Sequence, residues 1–125
     1  MSFVQRQIVA LSTAADGSAT AWSESVTGVV SQIRYVKPAS GGFDDGSTIT
    51  ITAESTGETI WAESNVNAST TRAPRQATHS TAGVASTFDG TRAALDKIAV
   101  AQDRFKIVIA AGGNNKNATF HIVLE

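Results

Sequence analysis

The sequence predicts an all-β protein, a single antiparallel β-sandwich of jelly-roll type with a long loop or arm at about residues 64–94. Three observations predict it. The apolar residues are mostly Ala and β-branched, and Ser, Thr and Gly are abundant, a mix that disfavours long helices. Several short runs alternate apolar and polar residues with period two, most cleanly Ser47-Thr48-Ile49-Thr50-Ile51-Thr52-Ala53. Turn signals separate the runs: Asp16-Gly17, Gly41-Gly42, Ser55-Thr56-Gly57 and Gly112-Gly113. Extended runs of this kind number about eight, the usual complement of a two-sheet jelly roll.

The first run, Phe3 to Thr13, is a strand whose facing is ambiguous, because Val4 and Ile8 lie on one side and Phe3, Val9 and Leu11 on the other. Asp16-Gly17 is a tight-turn dipeptide and Ser18–Ser23 resumes an extended pattern, so residues 3 to 23 read as a hairpin. Val26 to Lys37 is a longer strand, with Val29, Ser31, Ile33 and Tyr35 as the better core face. Pro38, which donates no ladder hydrogen bond, ends it, and the Gly/Asp-rich stretch 39–46 is a loop. The Ile/Thr strand at 47–53 and the run Glu58–Glu63 form a hairpin around Ser55-Thr56-Gly57. Strict alternation puts Ile60 and Trp61 on opposite faces, so one of them is left for an interface.

From Ser64 to Ala94 the pattern dissolves, and only Val66, Val84 and Phe88 are sizeable and apolar. A weakly patterned segment of this length inside a compact domain usually binds a partner or lacks fixed structure. Arg72, Arg75 and Arg92 make it locally basic. Leu95–Val100 is a short strand, and Arg104–Ala111 and Ala118–Leu124 read as a terminal hairpin around Gly112–Asn117. In it Phe105, Ile107 and Ile109 share one face of the first run and Phe120, Ile122 and Leu124 one face of the second, together building a single apolar surface, while Val108, Ala110 and Val123 make the opposite faces partly apolar. Strands apolar on both sides are usually covered on both sides, so a second sheet or a second subunit is expected there.

The composition bounds function by exclusion. Ten basic and eleven acidic residues give a net charge of −1, which provides no field to recruit nucleic acid or an anionic membrane. Cysteine is absent, so no thiolate metal site or disulfide framework is available. No apolar run approaches the roughly 20 residues of a membrane span and no signal-like start is present, which leads to the expectation of a soluble, cytosolically made protein. His79 and His121 lack ligand spacing, and Asp44-Asp45-Gly46 lacks the spacing of a calcium loop. Gly112-Gly113-Asn114-Asn115 joins two strands without the helix that would hold a phosphate, and no serine sits in a nucleophile elbow. No enzyme and no cofactor is expected.

Four stretches taken together carry a family resemblance: Ala14–Thr20, Gly28–Val36, Thr48–Ile60 and, most tellingly, Arg104–His121. They resemble a family of small structural proteins of tailed bacteriophages and prophages, in order over most of the chain. The resemblance implies a non-enzymatic virion component made in the bacterial cytoplasm, a decoration or cement protein on the outer surface of the capsid. Its partners would be the major capsid protein and its own copies, as a dimer or trimer, with no nucleic acid or membrane involved. Tail, neck and head-completion subunits are the alternatives within that family. The interface candidates are Arg72, Arg75, Arg92, Trp61 and Phe88. A reading from another class is a carbohydrate-binding surface module using Trp22, Trp61 or Tyr35.

Overall fold

The structure is a computed structural model that describes residues 4–125; Phe3, which the sequence places in the first strand, lies outside them. The strands are β1 (Gln5–Ser12), β2 (Ala19–Trp22), β3 (Val26–Val36), β4 (Thr48–Ala53), β5 (Thr59–Ser64), β6 (Thr70–Arg72), β7 (Arg75–Ala77), β8 (Leu95–Asp103), β9 (Phe105–Ala110) and β10 (Asn117–Leu124). Among the described residues no helix forms. One sheet runs β1-β10-β3-β8-β7, with β6 also on β3, and the other runs β2-β9-β4-β5. All the pairings are antiparallel. Without the two three-residue strands β6 and β7, the chain is one long ribbon folded at the β4–β5 turn. β1 pairs with β10, β2 with β9 and β3 with β8, and the ribbon is wrapped into two sheets. That is the double Greek key of a jelly roll.

The wrapping corrects two expectations. Residues 3–23 are not a hairpin, because β1 lies in one sheet and β2 in the other; likewise β9 and β10 belong to different sheets. Both turns are arches that carry the chain across the sandwich. The inward faces of β9 and β10 are as read from the sequence, but Phe105, Ile107 and Ile109 face Phe120, Ile122 and Leu124 across the core instead of lying beside them. The hairpin at β4–β5 is as read, with Thr48 opposite Ser64 and Ile51 opposite Trp61.

The two arches hold each other. Gly112 N–H donates to Gly17 O at 2.9 Å, and Thr13 uses its N–H on Lys116 O and its hydroxyl on Gly113 O. A Cβ on Gly17, which has φ +82°, would lie 2.8 Å from Gly113 N, so only glycine permits this backbone approach.

Two β-bulges correct the facing of strands. Between β3 and β10, Val123 opposes Gln32 while the next residue, Leu124, opposes Val30, leaving Ser31 as the extra residue. The bulge lets Val30 join Ile33 and Tyr35 in the core, where all three are fully buried, while Val29 is only half-buried. Between β4 and β5, Ile60 is the extra residue, and both Ile60 and Trp61 are buried in the same core. Trp61 is only 7% exposed and is therefore not an interface residue of the folded chain. In β1 the ambiguity resolves with Val9 inside and Ile8 outside.

At the core's centre, Tyr35 stacks between Phe43 and Phe120, each ring centroid 5.4 Å away. The Tyr35 hydroxyl is buried without a hydrogen-bond partner of normal geometry, and burial pushes its pKa up, only partly opposed by the nearby Phe43 backbone. The sharpest sheet crossing is at Arg104, the single residue between β8 and β9. Asp103, 8% exposed, anchors it by accepting from Ser55 N–H, the Ser55 hydroxyl and Arg104 N–H. Burial of this carboxyl would raise its pKa, but those donors outweigh it and hold the value below the ordinary one.

Two outcomes follow. Tyr35→Phe removes a buried hydroxyl that makes no hydrogen bond of normal geometry, so thermal unfolding will show stability unchanged or raised by up to about 1 kcal/mol. Asp103 contributes stability above its unfolded pKa that is lost as pH falls through the depressed folded value. Asp103→Asn will therefore lower the unfolding temperature at pH 7, and the difference from wild type will shrink once both are measured below the carboxylate range.

Candidate interaction surfaces

The five sequence-derived interface candidates do not come together. Three are structural and two are displayed. Trp61 Nε1 donates to Glu63 Oε1 at 3.1 Å, and Arg72 grips the same carboxylate with Nε at 2.7 Å and Nη2 at 2.9 Å. Arg72 is on β6 in one sheet and Glu63 on β5 in the other, so this two-pronged pair fastens the sheets along one side of the sandwich. The Arg72 hydrogen bonds, opposed by burial and helped by Trp61, hold the Glu63 carboxyl below its usual range. Arg75 Nη1 donates to Ser31 O at 3.1 Å and to Pro74 O at 2.8 Å. Ser31 is the bulge residue, between the part of β3 that pairs with β8 and the part that pairs with β6. The Arg75 guanidinium thus supplies the donor the ladder omits there. The view of Arg72, Arg75 and Arg92 as one set of free contact charges is corrected accordingly.

Phe88 and Arg92 are on a different feature. Residues 65–77 run along the sandwich and add β6 and β7, so the arm expected over 64–94 shortens to a lobe spanning Thr78–Ala94. The lobe is ordered by backbone bonds: Thr78 N–H to Ala94 O at 2.9 Å, Ser86 N–H to Thr78 O at 2.9 Å and Ala94 N–H to Ser86 O at 3.0 Å. Bridges His79–Ala85 and Thr87–Ala93 extend it. Asp89 closes the distal turn by accepting from Thr91 N–H and Arg92 N–H, and its pKa falls because of those bonds. No residue of the lobe is buried. Val84 is 65% and Phe88 66% exposed, with Leu95 at its base 60% exposed.

A second surface covers the outer face of the six-stranded sheet. Cross-strand pairing sets Ile8, His121, Arg34 and Thr71 in one row and Arg6, Val123 and Gln32 in the next. Of these, Arg6, Gln32, Arg34, His121 and Val123 line a shallow depression of about 360 Å³ with Val36. Arg6 Nη1 lies 3.3 Å from His121 Nδ1, in a contact where the guanidinium can only donate. Arg34 Nη1 donates to Thr71 Oγ1 at 2.9 Å. Among the described residues neither guanidinium has a carboxylate partner. His121 lies on the outer face, where strand alternation puts it. Sequence reasoning left out Arg6 and Arg34, whose adjacency depends on β1 and β3 both pairing with β10.

The aromatic residues of the carbohydrate reading are dispersed. Tyr35 and Trp61 are buried, and Trp22, 45% exposed, has the Arg104 guanidinium 5.1 Å over its ring. Arg104 is itself paired with Glu54. Among the described residues no group of three or more His, Cys, Asp or Glu could hold a metal ion, and no helix is long and apolar enough to cross a membrane.

No protein-family model and no curated protein matches the chain. Among solved structures, the crystal structure of FlhE aligns over 99% of both chains at 11% identity with a TM-score of 0.48. The structure of infectious bursal disease virus Gx strain aligns over 96% of this chain and 36% of its own at 13% identity, with a TM-score of 0.20.

The separation of the arginines has a measurable consequence. Arg75→Ala leaves the Ser31 carbonyl without its donor and will cost about 1–2 kcal/mol in denaturant unfolding. Arg72→Ala will lower the unfolding temperature, more at low salt than at high, because the pair is partly exposed and screened. Arg92→Ala, confined to the lobe turn, will leave it unchanged.

Proposed function

We propose that this is a non-enzymatic structural protein that works by docking on other proteins, and that it decorates the outer surface of a tailed-phage capsid. Its partners are the major capsid protein and other copies of itself. The single observation that carries the docking role is the Thr78–Ala94 lobe, which is ordered but has no buried side chain of its own. An element of this kind gains no stability from a core, and it displays Phe88, Val84 and Arg92 to a partner. A large aromatic beside an arginine is the composition of an interface anchor. The assignment to the virion rests on the resemblance of the strand sequences to tailed-phage structural proteins.

A tail, neck or head-completion subunit would use the same lobe on a ring instead of a lattice. The carbohydrate reading loses support from the burial of Tyr35 and Trp61 and from the cover over Trp22.

The test uses purified capsids lacking the protein. Phe88→Ala combined with Val84→Ser will keep the wild-type unfolding temperature but weaken co-sedimentation with capsids by about tenfold or more, the effect of losing an interface anchor. Unchanged binding would remove the lobe from the contact. Electron microscopy of virions without the protein locates it: density missing from the head lattice supports decoration, and density missing from the tail or neck replaces it with the alternative.

A further inference from the structure

A sheet edge offers a row of unpaired N–H and C=O groups that another strand can take up, and soluble proteins blunt such edges with shortness, bulges, charges or proline. The sandwich blunts three of its edges. β6 and β7 are three residues long and β2 is four. β5 has six residues, is bulged at Ile60 and carries Glu63. β1 is different. It runs eight residues in unbroken register with β10, without proline or bulge, and Arg6 is its one charge. Its outward side chains include Ile8, 59% exposed, with Val4 just before the strand at 73%. Leu11, on the inner face, packs against the core but is only partly buried. The adjacent edge of the other sheet is the short β2, and among the described residues no ion pair joins β1 to β2 as Arg72–Glu63 joins β6 to β5.

We infer that β1 is the seat of a two-fold contact between copies of this chain, in which two β1 strands pair antiparallel with Ile8 on the axis and join two six-stranded sheets into one. The register follows from three constraints. Facing residues must lie on the same side of the continuous sheet, which excludes any odd offset. Pairing should use the whole of Val4–Ser12, and centring on Ile8 does so, whereas a shift of two residues either way leaves residues unpaired at one end. Like charges should not oppose each other, and this register sets Arg6 against the small Ala10 of the second copy. On the inner face it sets Gln5 against Leu11 and Gln7 against Val9, which extends the cover over Leu11. An occupant of identical sequence is favoured over a foreign strand because the edge is self-complementary: the exposed Val4 and Arg6 meet the small Ser12 and Ala10, and the exposed Ile8 meets itself. The contact does not depend on what the lobe binds.

The experiment is sedimentation equilibrium of the full chain over a range of concentrations, together with two variants. Wild type is expected to dimerise. Ile8→Lys places two ammonium groups opposite each other and is expected to weaken dimerisation at least tenfold, with circular dichroism unchanged and an unfolding temperature equal to wild type's at concentrations low enough that both are monomeric, where Ile8 is exposed. Ile8→Cys is expected to form an intersubunit disulfide on oxidation, since residues facing each other across an antiparallel pair have Cα atoms within disulfide reach; Val36→Cys, on β3, is expected not to. A wild-type chain that stays monomeric at every concentration overturns the inference. So does a dimer that survives Ile8→Lys, or an oligomer of the Ile8→Cys variant that fails to cross-link. These outcomes are read without capsids, so they stand apart from the capsid-binding test.

Discussion

The constraint on which this fold depends is that both arms of a paired ribbon must cross from one sheet to the other at the same place. β1 and β10 are partners in one sheet and β2 and β9 are partners in the other, so the β1–β2 and β9–β10 connections have to turn together. They do so by direct backbone contact, Gly17 against Gly112 and Gly113, with Thr13 bonded to both Gly113 and Lys116. A side chain at Gly17 would force the two arches apart. The apolar faces of β9 and β10 could then no longer oppose each other across the core. The remaining crossings are held more locally, as at Asp103, where one carboxylate satisfies three donors around a one-residue connection.

The two long sides of the sandwich are finished differently. On one side Arg72, Glu63 and Trp61 tie the sheets, and Arg75 caps the bulge where β6 and β8 meet end to end along β3. An exposed ion pair is worth little alone, so much of that closure comes from Trp61 burying its ring behind the pair. On the other side, small residues face the gap: Ala19 and Ala21 of β2, with Leu11 of β1, are only partly buried. Burial there is incomplete within one chain, and the strand beside it has an unoccupied edge.

Much of the architecture was legible in the sequence because alternation in a half-buried strand reports its facing directly. The all-β class, the β4–β5 hairpin and the inward Phe105, Ile107, Ile109, Phe120, Ile122 and Leu124 all follow from it. The crossings were not legible, because a strand, a Gly-rich turn and a strand have the same local pattern whether the second strand pairs with the first or faces it across a core. Bulges were equally hidden. One extra residue at Ser31 and one at Ile60 change which side chains are buried, and neither position has the Gly or Pro that would mark it. That is why Trp61 looked available and is not. The arm of residues 64–94 looked longer than the lobe it contains because three-residue strands such as β6 and β7 are too short to show a period.

The fate of the six arginines separates what holds this protein together from what it has left to offer. Arg72, Arg92 and Arg104 are matched to carboxylates, and Arg75 to carbonyls. Among the described residues Arg6 and Arg34 have only an imidazole nitrogen and a hydroxyl as partners, and both lie on the outer face of the sheet whose edge is β1. Arg92, though paired within its turn, is displayed on a lobe with Phe88 and Val84. These groups do not converge on a point; they spread over one sheet face, one edge and one lobe. The proposed docking role draws on that spread, because modest contacts distributed over area add through repeated copies.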